Sequence, residues 1–132
     1  MCRTMPEGKP TLDLGTAIVW FDRPDLVCVT VRNDQRMTVA EANQVIEWTT
    51  SISKGNKYKM LYIPEPGANI SPELRDTLAD PSRADRVIAD AMVVANFPHR
   101  LLADFYLRFN KPAVPTKLFS NEEAARRWLE TV

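Results

Sequence analysis

Residues 16–46, TAIVWFDRPDLVCVTVRNDQRMTVAEANQVI, change their hydrophobic period within one short stretch, and that change decides the fold class. Residues 16–21 (TAIVWF) and 26–31 (LVCVTV) are dense in β-branched and aromatic side chains, which suit a pleated and buried surface. Asp22, Arg23, Pro24 and Asp25 between them have turn chemistry, so the pair reads as a β-hairpin. From Val39 onward the period lengthens, with Val39, Ala42, Val45, Ile46, Thr49 and Ile52 recurring at helical spacing. Thr38 and Glu41 make a capping box that marks the start of this first helix. Gly55 supplies the left-handed residue that ends it.

Downstream, strands and helices alternate. Residues 59–63 (KMLYI) read as a buried strand stopped by Pro64-Glu65-Pro66-Gly67. Ser71-Pro72-Glu73 places a capping hydroxyl, a proline and an acid where a helix start favours each. Asp80-Pro81 interrupts this second helix, and residues 82–85 restart it. Residues 91–95 (AMVVA) form another strand, and 98–109 a third helix closed by Asn110 and Pro112. Residues 116–119 (TKLF) are a last strand. Ser120-Asn121-Glu122-Glu123 reads as a second capping box, opening a fourth helix with Ala124, Ala125, Trp128 and Leu129 on its inner face. The expected fold is α/β: an N-terminal β-hairpin, then alternating helices and strands on a mixed, mostly parallel sheet with right-handed crossovers.

The 132 residues suffice for one domain. We expect residues 1–12 to form a loosely ordered N-terminal segment and 13–132 a single folded unit. The chain is 45% hydrophobic, 26% charged and has a formal net charge of zero. A balanced charge argues against nucleic acid as a partner, because such binders gain affinity by neutralising phosphates. Cys2 and Cys28 are too few for a disulfide framework or a zinc site, which fits a cytoplasmic setting. No run approaches the roughly 18 apolar residues of a membrane span, and residues 1–10 lack the apolar core of a signal peptide.

The residues that can carry chemistry are sparse. His99, the single histidine, lies with Arg100 where a strand gives way to a helix; Asn69, Ser71 and Ser120 lie at the other such junctions. In open α/β sheets these junctions collect anions and small ligands, so the five are candidate ligand-binding residues. No nucleophile sits beside a base, no glycine-rich phosphate loop occurs, and no His/Cys cluster has metal-ligand spacing. Asp22, Asp25, Asp76, Asp80, Asp85 and Asp90 read as caps or solvated charges, and Cys28 as a small core hydrophobe. No catalytic residue, metal or cofactor is therefore expected.

The third helix, PHRLLADFYLRFN (98–110), is the most informative segment. At 100° per residue, Arg100, Asp104 and Arg108 share one narrow stripe on which opposite charges can pair. Leu101, Leu102, Phe105, Tyr106 and Phe109 suffice to cover the sheet, which leaves Ala103 and Leu107 on a flank beyond the core-facing arc. Ala103, Leu107 and the adjoining Tyr106 are candidate contacts for a second copy of the chain, another protein or a small apolar ligand.

The element order resembles that of the STAS/SpoIIAA-like and SEC14-related group of small bacterial domains. The likeness is best over residues 84–130, where the strand ADAMVVAN (89–96) is followed by a helix, a strand ending in Phe119 and a helix with an alanine pair and Trp128-Leu129. This resemblance implies a non-enzymatic regulatory or protein-interaction module, self-associating as a dimer or binding another protein. The SEC14-related alternative is a carrier of small molecules or lipids, which requires a cavity of roughly 300 Å³ or more. A small enzyme using His99 and Arg100 is the second alternative. STAS antagonists carry a phosphorylatable serine at a comparable helix start, which makes Ser71 the phosphorylation candidate. Here Asn69-Ile70 and Pro72-Glu73 flank it instead of an aspartate and small residues.

Overall fold

The computed structural model describes residues 8–132. A short edge strand, β1 (Thr11–Asp13), pairs antiparallel with β2 (Ala17–Arg23), which pairs antiparallel with β3 (Leu26–Val31). Thr11 and Leu12, expected to be loose, are held by this ladder. Lys9 pairs with Asp22 and Pro10 O accepts from the Phe21 N–H; the remainder of that expectation, residues 1–7 with Cys2 among them, lies outside the described residues.

Helix α1 (Val39–Ser53) begins at the capping box: the Glu41 N–H donates to Thr38 Oγ1 at 3.1 Å, and the Thr38 N–H donates to Glu41 Oε1 at 3.0 Å. Its backbone turns left-handed already at Lys54 (φ 53°) and again at Gly55, one residue before the expected stop. β4 (Tyr58–Tyr62) leads to α2 (Pro72–Leu78), whose N-cap is Ser71. A 3₁₀ turn (Pro81–Asp85), the expected restart, precedes β5 (Val87–Val93). α3 (Phe97–Phe105) runs into one π-helical turn (Tyr106–Asn110). β6 (Thr116–Phe119) and α4 (Glu122–Leu129) follow. The α4 cap is Asn121, whose Oδ1 accepts from the Ala124 N–H at 2.8 Å, so the expected box on Ser120 is corrected to a simple asparagine cap one residue later. Glu123, the acid that such a box would use, instead pairs with Arg127 one turn along.

The six strands lie in chain order, β1-β2-β3-β4-β5-β6, with the last three pairings parallel. Every parallel crossover therefore steps one strand in the same direction. A constant crossover hand then places the connecting helices on one face. Ala17, Val19, Phe21, Val27, Val29, Val31, Tyr58 and Met60 line that face beneath α1 and α2. α4 covers the other face, where Ala125 and Leu129 pack on Ile18, Trp20, Cys28, Leu61, Ala89 and Ala91.

One aspartate departs from expectation. Asp90 is fully buried on the α1/α2 side of β5, where Arg83 from the 3₁₀ turn donates to both its oxygens at 2.6 and 2.9 Å. Arg83 is itself 5% exposed and also donates to Leu78 O and Tyr62 Oη. Burial pulls the Arg83 guanidinium down, but Tyr62 and Asp90 outweigh it and raise it above its ordinary value. The pair is structural: a buried charge persists only when matched and hydrogen-bonded.

Candidate functional site

Three connections converge at the C-terminal ends of the strands. Arg36 and Asn69 form an isolated parallel bridge, and the Asp34 N–H donates to Gly67 O. Asn33 Oδ1 accepts from the Gly67 N–H at 2.7 Å, and Glu65 Oε1 accepts from the Asn33 N–H at 2.8 Å. Asn96 caps α3 through the His99 N–H and donates its amide to Pro66 O at 3.1 Å. His99 Nε2 lies 3.0 Å from Ala68 O. With the ring proton on Nε2, His99 donates to that carbonyl and fastens α3 to the loop before α2.

This arrangement uses up two of the five groups expected to hold an anion. His99 is buried and bound to backbone, whereas Arg100 beside it is exposed, so the two do not converge on one cleft. Ser71 is 6% exposed and its hydroxyl accepts from the Leu74 N–H; the expected accessible phosphorylation site is a buried helix cap. Asn69 is exposed. Ser120 is exposed where β6 leads to α4, the helix of the opposite face.

α3 docks by a face other than the expected one. Its buried residues are His99 and Ala103, continued by Tyr106 in the π turn, a spacing of four and then three. Ala103 and Tyr106, expected at an outer contact surface, are thus inner residues, and Leu107 is half-buried. The helix is oriented by its polar anchors, Asn96 and His99, and by Ala103, whose small side chain permits close approach to the sheet. The residues turned outward are Phe97 (70% exposed), Leu101 (54%), Phe105 (46%) and Phe109 (64%), one every four residues. Phe105 and Phe109 rings lie 4.5 Å apart, with the Arg75 guanidinium 5.4 Å from the Phe105 ring centre. Among the described residues the side chains of Arg100, Asp104 and Arg108 make no ion pair, contrary to expectation.

Residues 19–132 match the family described as Domain of unknown function (DUF7793). The chain belongs to this family. The DUF7793 match begins inside β2 and runs through α4, so it includes α3 and the three converging connections. No curated protein and no solved structure matches the chain.

Within the DUF7793 domain, α3 and α2 enclose an apolar cavity of about 70 Å³ against Val29, Val31, Tyr62 and Met92. A neighbouring cavity of about 80 Å³ lies between α1, α2 and the sheet. Both are far smaller than the roughly 300 Å³ of an ordinary ligand pocket. Tyr106 lines the first, and its buried hydroxyl has no hydrogen-bond partner among the described residues. Burial pushes this phenol well above its ordinary pKa, so it remains protonated. No group of three His, Cys, Asp or Glu that could hold a metal occurs among the described residues, and no described helix is long and apolar enough to cross a membrane.

Proposed function

We propose that this chain is a non-enzymatic regulatory or protein-interaction module of the STAS/SpoIIAA-like kind, acting in the bacterial cytoplasm and docking through the outer face of α3. The observation that carries the reading is the row Phe97, Leu101, Phe105 and Phe109, each about half exposed or more. Four large apolar side chains at this exposure present roughly 450 Å² of apolar surface, within the roughly 300–600 Å² of a monomer's largest patch, which often serves binding. The strand-end loops add support from the other direction, since His99 and Ser71 are committed to holding backbone. The SEC14-related carrier reading draws on the cavity beside α3, but about 70 Å³ admits no lipid chain.

In-cell photocrosslinking tests the docking reading whatever the partner is. A benzoylphenylalanine at position 101 should give a defined adduct that disappears when Phe97 and Phe109 are both replaced by serine. The same probe at Gln44, on the solvent side of α1, should give none. Absence of an adduct at 101, or equal labelling at 44, overturns the reading.

A further inference from the structure

The outer surface of α3 carries two parallel rows, each stepping by four residues. One is apolar, Phe97, Leu101 and Phe105; the other is charged, Arg100, Asp104 and Arg108, exposed and without ion pairs among the described residues. We propose that the partner is a second copy of this chain, its α3 packed antiparallel on the first across a two-fold axis near Leu102, with Arg100 of each copy facing Asp104 of the other. This rests on the reading of the α3 face as a docking surface and names what docks there.

Two arguments select this occupant. The first is area. The apolar row, continued by Phe109, offers roughly 450 Å² where a standard interface takes about 800 Å² from each partner, so the row with a polar rim around it is of dimer size. The second is charge. A two-fold axis that lies in the interface and crosses the helices at right angles reverses chain direction but leaves each flank on the same side. The charged row therefore meets its own copy. With the axis near Leu102, reflection sets Arg100 opposite Asp104 twice over, once from each copy, and Leu101 falls between Leu101 and Phe105 of the other helix. A parallel arrangement would instead lay the charged row over the partner's apolar side, where neither row is satisfied.

Sedimentation equilibrium on the pure chain, with charge-reversal variants, tests this. The chain should be a reversible dimer, and Leu101→Glu should weaken it by about a hundredfold or more with an unchanged circular dichroism spectrum. Arg100→Asp and Asp104→Arg should each weaken it by at least about tenfold, and the double reversal should restore it to within about threefold. A strict monomer at every concentration overturns the second copy as occupant. A dimer indifferent to Leu101→Glu overturns it equally, by placing the contact elsewhere. A dimer dispersed by Leu101→Glu but indifferent to the charge reversals overturns the antiparallel pairing. The photocrosslink at position 101 decides the docking reading separately, since an adduct with a different protein leaves that reading standing while this inference fails.

Discussion

Arg83 and Asp90 are the least exposed ion pair among the described residues, and removing either one leaves a charge that water cannot reach. Arg83→Met should destabilise the fold by about 3–5 kcal/mol, and Asp90→Leu by a similar amount. The double variant Arg83→Met/Asp90→Leu should lose much less than the sum, because two apolar side chains of similar bulk need no hydrogen bonds. Urea denaturation of the three variants checks this; losses that simply add would show that the pair does not act as a unit. Neither residue announces its role in the sequence. Asp90 interrupts the apolar run of residues 87–95, which is why β5 reads as a strand only from residue 91, whereas pairing with Arg83 lets the strand carry a carboxylate through its middle.

At the scale of the element, α3 separates two neighbouring aromatic residues with opposite duties. Tyr106→Ala should cost about 3–5 kcal/mol, because its ring is buried against the sheet, while Tyr106→Phe should be neutral or slightly stabilising, because the hydroxyl has no partner to lose. Phe105→Ala should cost less than about 1.5 kcal/mol, mostly from lost contact with Arg75 and Phe109. Thermal unfolding of the three variants ranks them; a costly Phe105→Ala would return that residue to the core. Helix starts were legible at Thr38 and Ser71, where a capping group coincides with an acid or a proline, since those signals are local; at Ser120 the same pattern misplaced the cap by one residue. The facing of α3 was not, because apolarity alone puts five large side chains inward. What turns the helix is the bond from His99 to Ala68, a residue 31 positions away. The spacing of His99, Ala103 and Tyr106 was the available signal, but a histidine and an alanine weigh little in a hydrophobic pattern.

At the scale of the whole molecule, Asp22 ties distant parts of the chain together. Its carboxylate accepts from Lys9 at 2.9 Å and from Arg126 of α4 at 3.0 Å, joining the N-terminal side, the end of β2 and the helix of the second face. Burial raises the Asp22 pKa, but the bonds from Lys9 and Arg126 outweigh it and hold the group below its ordinary 3.8. A depressed native pKa means stability that is full above 3.8 and is lost as pH falls through the lowered value. Asp22→Asn should therefore cost about 1 kcal/mol at neutral pH and nothing in strong acid, flattening the acid limb of a urea-midpoint profile. An unchanged limb would mean that the link carries no stability. The alternation of elements, and with it the α/β class, was legible across this whole scale. The edge strand β1 was not, because three residues have too little pattern to read.

The strand order has a consequence for how such a chain is made. Each strand pairs with the one synthesised just before it, so no gap in the growing sheet waits for a distant segment to be threaded in. A nascent chain can lay down β2, β3, β4, β5 and β6 outward from the hairpin, closing the first face helix by helix as it lengthens. The second face has no such running cover. Ile18, Trp20 and Leu61 await α4, which follows all six strands, so this half of the core stays open to a chaperone until translation has passed residue 129.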